Sequence, residues 1–238
     1  MGLLALAMAP GLAICIFIYR KDKYNKEPFW MLLMAFLLGV VSIVPAIILQ
    51  VASGVKFNTV GEGGALSAAF FAFCIVAASE EGSKFLMLRT ILYPRKHFDD
   101  PFDGIVYAVM VGMGFATIEN IGYVYQHGAS TGILRMFLSV PAHGTFAVLM
   151  GYFTGYAKFR ARHKFYNFLW ALLLPILFHG SFDFFIFIGS DSYIILGALV
   201  SFILALFLSF KAISRKQELS RRYHEENNKQ EPSDQSSL

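Results

Sequence analysis

The sequence has few charged residues and almost no cysteine. Charged residues make up 15% of the 238 residues and apolar residues 56%, a balance that excludes an ordinary soluble domain. The two cysteines, Cys15 and Cys74, lie in separate apolar runs without Cys-x-x-Cys spacing. This spacing excludes a disulfide framework and a cysteine-rich metal site. We therefore expect an integral membrane protein.

Seven apolar runs are long enough to cross a bilayer, which takes roughly 20 helical residues. They lie at about 3–19, 29–51, 64–92, 103–125, 133–157, 166–188 and 193–210. The runs predict an all-α transmembrane bundle of about seven spans, forming one domain over residues 1–210. Residues 211–238 are rich in Lys, Arg, Glu, Asn, Gln and Ser, and we expect them to form a disordered basic tail in the cytoplasm.

Basic residues are distributed unevenly among the connections between the runs. Seventeen of the 20 Lys and Arg residues follow the first, third, fifth and seventh runs, whereas only Lys56 and Arg135 fall on the opposite face and Lys84 lies inside the third run. Since cytoplasmic connections retain Lys and Arg, we expect the N-terminus outside the cell and the C-terminus in the cytoplasm. This topology accounts for the net charge of +4, so no nucleic-acid partner is needed to explain it.

Ionisable side chains also occur within the apolar runs, where each costs about 2.5 kcal/mol or more. They are Glu80, Glu81, Glu119, His143, His179 and Asp183. Such groups usually face the bundle interior or a wet cavity and mark function. We therefore expect them to share one polar site on the third to sixth helices.

The third run places three charged residues within two helical turns. Glu80 precedes Lys84 by four residues, the favourable order for an ion pair, and Glu81 points about 100° away. We expect Lys84 to hold Glu80, which leaves Glu81 free to take a proton or bind a metal. The alternative is that all three charges lie at the interface and reach cytoplasmic water.

Small residues recur at every fourth position in the fourth and fifth runs. They are Gly104, Ala108, Gly112 and Ala116 in one, and Ala147, Gly151 and Gly155 after His143 in the other. Such stripes let helices approach closely, so Glu119, Asn120 and His143 are expected to face protein. For either histidine taken alone, an interhelical hydrogen bond is the more usual role.

The sixth run carries His179 and Asp183 four residues apart on one helix face, one turn after Pro175. The carboxylate is placed to orient the imidazole and raise its basicity, as carboxylates do behind metal-bound histidines. A purely structural hydrogen bond is the alternative.

These residues occur in motifs that resemble the PrsW family of bacterial polytopic membrane proteases. The motifs are Ala9-Pro10-Gly11, the Lys21 to Pro28 segment, Glu80-Glu81-x-x-Lys84, Asp103-Gly104, Phe115-Ala116-Thr117-x-Glu119-Asn120, His143, and His179-Gly180-Ser181-x-Asp183. The resemblance runs from about Pro10 to Asp183. A more distant likeness is to the CAAX prenyl endopeptidases, whose paired glutamates and later histidines follow the same order.

The resemblance implies a multi-pass protease of the bacterial cell membrane. It implies the first, extracytoplasmic cleavage of a single-span anti-sigma factor, which leads to sigma-factor release under envelope stress. Glu80, Glu81 and His179 are the implied catalytic residues, supported by Lys84, Glu119, Asn120, His143 and Asp183. His143, His179 and Glu119 offer a possible zinc site, since two histidines and a glutamate suit catalytic zinc.

The residues leave the mechanism and two other functions open. The sequence contains no His-Glu-x-x-His, Gly-x-Gly-Asp or Gly-x-Ser-Gly signature, so metal-dependent and metal-free glutamate catalysis are both compatible with it. A proton- or ion-coupled carrier also buries Glu, His and Asp in the membrane. A non-catalytic scaffold keeps the same groups only to fix helix packing.

Overall fold

The structure, a computed structural model, describes residues 2–55, 63–160, 163–189 and 192–230 and contains no strand in these ranges. The helices are α1 (Gly2–Lys21), α2 (Phe29–Ala52), α3 (Gly64–Leu92), α4 (Asp103–His127), α5 (Ala129–Phe137), α6 (Ser139–Phe159), α7 (Lys164–Ile188) and α8 (Ser192–Gln230).

Seven helical segments are long and apolar enough to cross a membrane, with α5 and α6 together forming the fifth. The prediction of an all-α bundle of seven spans is confirmed. The side of the membrane that each terminus occupies stays a prediction. Lys56 and Arg162, two of the basic residues behind that prediction, lie outside the described residues.

Helix α4 forms the centre of the bundle and is buried along most of its length. Glycines permit its close approach to both neighbours. A Cβ at Gly104 would lie 2.4 Å from the Gly151 carbonyl oxygen of α6, and one at Gly114 would lie 2.0 Å from the Phe36 carbonyl oxygen of α2. The predicted small-residue stripes therefore do bring α4 and α6 together, and they point the polar ends of both helices at protein.

The outer helices present large apolar side chains to their surroundings. On α2 these include Leu33, Leu37, Val41, Val44 and Ile48, all of which are about half exposed. A lipid-facing surface explains them, because hydrocarbon is the solvent for this face of the bundle.

Helix α3 is irregular on both sides of its charged segment. Residues Phe71–Ala77 and Leu88–Leu92 are wound as π-helix, and the ten residues Ala78–Met87 between them are α-helical. Wider π turns inside a membrane helix are often found at functional sites. Here they flank the turns that carry Glu80, Glu81 and Lys84.

Helix α8 continues well beyond its apolar part and ends at Gln230. This differs from the expectation of a disordered tail, because residues 211–230 are helical; residues 231–238 lie outside the described part of the chain. The polar side chains of this extension find partners on the bundle. Ser220 Oγ donates to Asp100 Oδ2 at 2.7 Å, and Gln217 Nε2 donates to the Lys21 carbonyl at 2.5 Å.

Candidate active site

The six ionisable residues singled out from the sequence lie together between α3, α4, α6 and α7, as expected. Four of them, Glu80, Glu81, His143 and His179, are buried, and Glu119 and Asp183 are nearly so. The prediction of one shared site is confirmed by their direct contacts, which run without a break from Arg135 on α5 to Asp183 on α7.

Glu81 is the most firmly held carboxylate of the site. Its Oε1 lies 2.7 Å from Lys84 Nζ and 2.8 Å from His179 Nδ1. Both ring nitrogens of His179 therefore face carboxylates, because Nε2 lies 3.3 Å from Asp183 Oδ2 and 4.0 Å from Glu80 Oε2. Glu81 and Asp183 together fix the orientation of the His179 ring.

Glu80 is held less closely than the sequence suggested. Lys84 Nζ does lie near Glu80 Oε2, at 3.7 Å, but its shorter contact is with Glu81. The expected division, with Lys84 holding Glu80 and leaving Glu81 free, is therefore corrected. On an α-helix a lysine can pair with a carboxylate three or four residues away, and the contact with His179 holds Glu81 on the side that faces Lys84. Glu80 Oε2 is buried and has no hydrogen-bond partner among the described residues.

Glu119 is fixed by the neighbouring cation of α5. Arg135 Nη2 donates to Glu119 Oε2 at 2.6 Å, and Arg135 Nε donates to Asn120 Oδ1 at 3.0 Å. The same Glu119 oxygen lies 3.0 Å from His143 Nε2, and Asn120 also donates to the Ala7 carbonyl. If His143 donates from Nε2 to Glu119, its Nδ1 carries the free electron pair, which faces Lys84 Nζ at 3.2 Å.

Two phenylalanines line the site between the charged groups. The Phe115 ring lies under Lys84, with Nζ 4.1 Å from the ring centroid. The Phe146 ring stacks on the His179 imidazole at 5.2 Å between centroids. These apolar contacts exclude water around the ion pairs and strengthen their electrostatic interactions.

The site contains a donor set that fits a metal ion. One ligand atom each of Glu80, His143 and His179 lie within 4.8 Å of one another, and all three residues are buried. Two imidazoles and a carboxylate are the donors of many catalytic zinc sites, and the orphaned Glu80 oxygen is available as a ligand. The set expected from the sequence had Glu119 in this place, but Arg135 already neutralises that carboxylate. Lys84 Nζ also contacts His143 Nδ1. This nitrogen can bind a metal only when the Lys84 ammonium pairs with Glu81 instead.

On α4 and α7 the site lies nearer the helix ends that are remote from the basic connections. His127, at the end of α4, is eight residues beyond Glu119, about 12 Å along the helix, whereas Asp103 at the other end is about 24 Å away. Ile188 ends α7 nine residues beyond His179, about 14 Å. With the predicted topology, these nearer ends face the outside of the cell.

Two contributors were missed in the sequence. Gln50, near the end of α2, directs Nε2 to Ser79 Oγ at 3.1 Å and Glu80 Oε1 at 3.4 Å. Arg135 was considered only as a residue of an external connection. The sequence does contain a signal for each residue. Gln50 is a polar residue at the end of a long apolar run, and Arg135 is one of only two basic residues on the predicted outer face of the membrane.

Comparison with known proteins agrees with this geometry. Residues 27–214 match the family described as PrsW family intramembrane metalloprotease. The chain belongs to this family.

Protease PrsW of Geobacillus kaustophilus is 39% identical over 183 residues, covering 76% of this chain and 78% of that protein. Protease PrsW of Bacillus subtilis is 38% identical over 186 residues, covering 77% and 82%. Protease PrsW of Clostridioides difficile is 39% identical over 191 residues, covering 77% and 79%.

No solved structure matches the chain. The family membership and the seven spans establish a peptidase of the PrsW family that is a multi-pass protein of the bacterial cell membrane and acts on protein substrates there. The family description also supports a metal-dependent enzyme, in agreement with the donor set of Glu80, His143 and His179.

Proposed function

We propose that this protease makes the first, extracytoplasmic cut in a single-span anti-sigma factor, which leads to release of the sigma factor. The observation that carries this proposal is the depth of the buried Glu and His site, which on α4 and α7 lies about 12 to 14 Å from the helix ends whose connections carry few basic residues. A substrate helix cut at this depth is cleaved in its outer half. The cut leaves the cytoplasmic part of the substrate in the membrane for later proteases.

Glu80 is the proposed reactive carboxylate of the site. Hydrolysis of a peptide requires a basic atom that receives a proton from the attacking water. Glu80 Oε2 is buried, faces His179 and Lys84, and has no hydrogen-bond partner among the described residues. Because Glu81 already contacts Lys84 and His179, we assign it the role of positioning His179. The sequence had suggested that Glu81 acts as the general base.

Glu80, His143 and His179 are the residues that would hold a metal, with zinc the ion that best suits their donors. A zinc ion bound there supplies a Lewis acid that polarises the scissile carbonyl and activates water. Glu81 and Glu119 each lie within hydrogen-bond distance of one nitrogen of one of the two histidines, which fixes the orientation of each ring. Glu80 is thus essential whether it binds the metal or receives the proton.

Lys84 is the proposed electrostatic partner of the reaction. Its ammonium is buried and lies between Glu80, Glu81 and His143. A fixed cation at this position favours the ionised form of both glutamates and stabilises negative charge that develops on the substrate carbonyl.

The proposal is tested by co-producing this chain with a single-span anti-sigma factor and following the substrate by immunoblotting in cells that lack the downstream intramembrane protease. Wild type should accumulate a shortened, membrane-bound fragment whose new end lies on the outer side. Glu80→Gln should leave the substrate intact at an equal enzyme level. A wild-type fragment whose new end is cytoplasmic would contradict the proposed side of cleavage, and an uncleaved substrate would contradict the proposed substrate class.

A further inference from the structure

A second polar cluster lies at the opposite end of the bundle, beside the basic connections. Its five carboxylates belong to Asp22 after α1, Glu27 before α2, Asp99 and Asp100 in the α3–α4 connection, and Asp103 at the start of α4. All are buried except Asp99, which is exposed. The cluster contains two of the sequence features, the Lys21 to Pro28 segment and Asp103-Gly104, that the protease chemistry leaves without a role.

The lysines near these carboxylates, Lys26, Lys158 and Lys216, act on them from beyond ion-pair distance. Within the described ranges, no Lys or Arg side chain forms an ion pair with any of the five, and the one cationic candidate in contact is His224, whose Nε2 lies 3.0 Å from Asp100 Oδ2. Asp99 Oδ1 accepts from Asn25 Nδ2 at 2.7 Å, and Glu27 accepts from the Tyr107 hydroxyl. Neutral donors of this kind leave the negative charge of the cluster in place.

Several oxygens of the cluster have no hydrogen-bond partner in the part of the chain that the structure describes. Both carboxylate oxygens of Asp22 and the Oδ1 of Asp103 are buried and lack a hydrogen bond among the described residues, although each residue is at most 1% exposed. Asp103 Oδ2 accepts from the backbone N–H groups of Asp99 and Asp100, at 2.8 and 2.6 Å, and this fixes the side chain in the cluster. Buried unpaired carboxylates are costly unless they are paired or bind a metal.

The electrostatics of two members outside the membrane helices agree with this excess of negative charge. Burial, together with the Asp100 and Glu27 carboxylates, raises the pKa of Asp22 to about 7. Burial likewise raises the pKa of Glu27 to about 7, against the opposing hydrogen bond that Tyr107 donates. A bound cation offsets the repulsion between the carboxylates that contributes to these raised pKa values.

The arrangement of the oxygens is that of a cation site. One oxygen each of Glu27, Asp99 and Asp103 lie within 4.8 Å of one another, and the exposed Asp99 opens the group to solvent. The donors are all carboxylate oxygens, which suit hard cations, whereas zinc is usually bound by nitrogen or sulfur. We propose that Glu27, Asp99 and Asp103 bind a hard divalent cation of the Mg²⁺ and Ca²⁺ class, with Asp22 and Asp100 adding negative charge around it.

This cation has a structural role in the proposal. It ties the segment between α1 and α2 to the segment between α3 and α4, next to the place where Ser220 and His224 of α8 bind Asp100. The site is separate from the candidate active site, because Asp103 lies 16 residues before Glu119 on α4, about 24 Å along the helix.

The test uses the purified full-length chain in lipid nanodiscs after removal of bound metals with a chelator. Equilibrium dialysis against ⁴⁵Ca²⁺ measures the number of ions bound, and thermal unfolding with added Mg²⁺ or Ca²⁺ measures their effect. We compare wild type with Glu27→Gln and Asp99→Asn, with Glu218→Gln as a control for an exposed, ion-paired glutamate of α8. His179→Ala separates this site from the active site.

The proposal predicts one Ca²⁺ per chain and a rise in unfolding temperature on addition of Ca²⁺ or Mg²⁺, for wild type, Glu218→Gln and His179→Ala alike. Glu27→Gln and Asp99→Asn should weaken Ca²⁺ binding at least tenfold. Since Asp99 is exposed, Asp99→Asn keeps the test decisive even if Glu27→Gln does not fold. No bound Ca²⁺ in wild type, equal binding in the two cluster variants, or loss of binding in His179→Ala would each overturn the proposal.

Discussion

Nδ1 of His179 and Oε1 of Glu81 lie 2.8 Å apart, although 98 residues separate them along the chain. A matching pair, His143 Nε2 and Glu119 Oε2 at 3.0 Å, lies on the adjacent helices. The two imidazole rings meet edge to face with centroids 5.1 Å apart, and Glu80 completes the group. Each histidine is thus backed by its own carboxylate, an arrangement that fixes ring orientation before a metal or substrate arrives.

The first prediction concerns the division of labour between Glu81 and Lys84. Glu81→Gln and Lys84→Met should each reduce cleavage by roughly 10- to 100-fold without abolishing it, because Glu81 positions His179, Lys84 stabilises negative charge, and neither receives the proton. Cleavage of a quenched peptide substrate by purified variants gives the ranking, with Lys96→Met as a control for an exposed lysine. Complete inactivity of Glu81→Gln in a folded protein would restore Glu81 to the role of base.

The second prediction concerns Arg135, which holds Glu119 and Asn120 in place. Arg135→Gln leaves the buried Glu119 carboxylate without its cation, so His143 loses its fixed orientation. We expect a loss of roughly 10- to 100-fold in activity and in the affinity for zinc, measured by competition with a fluorescent chelator. Arg95→Gln, at an exposed arginine of the α3–α4 connection, should match wild type in both measurements. An unchanged zinc affinity in Arg135→Gln would show that Glu119 does not need Arg135 to hold its orientation.

The third prediction concerns the contact between α4 and α6. Gly104→Ala places a Cβ 2.4 Å from the Gly151 carbonyl oxygen, so the helices must move apart. We expect a destabilisation of about 1–3 kcal/mol, as for other overpacked contacts, measured by SDS unfolding of the purified protein. Gly82→Ala is the matched control, because nothing lies within 4 Å of a Cβ at that position. Equal stability of the two variants would contradict the close packing.

The fourth prediction concerns topology. Reporter fusions at Gly128, between α4 and α5, and at Lys164, at the start of α7, should report the outside and the cytoplasm respectively, because the basic residues cluster near Lys164. Two fusions that report the same side would contradict the assigned orientation and, with it, the extracytoplasmic position of the site.

The sequence predicted the spans and the shared site well, because long apolar runs and buried charges are strong local signals. The small-residue stripes even placed Glu119 and His143 toward protein, and Gly104 and Gly151 do meet. Pair assignments were weaker, since a helix allows Lys84 to reach either Glu80 or Glu81, and the choice depends on His179 from another helix.

Long-range partners account for the other differences. Gln50 and Arg135 join the site only through the packing of α2 and α5, which the local sequence does not specify. The helical extension of α8 was likewise hidden, because its charged composition resembles a solvated tail and its contacts with Asp100 and Lys21 come from distant segments.

We propose that Glu80, with His143 and His179, performs a metal-dependent peptide cleavage. Cleavage of a single-span anti-sigma factor by the purified protein in lipid, with metal content determined on the same preparation, tests this mechanism. We expect about one zinc per chain in wild type, loss of cleavage on chelation with recovery on zinc addition, and neither zinc nor cleavage in folded His179→Ala. Glu80→Gln should be inactive under all these conditions. Wild-type cleavage by Glu80→Gln, or full activity of a preparation shown to be free of metal, would contradict it.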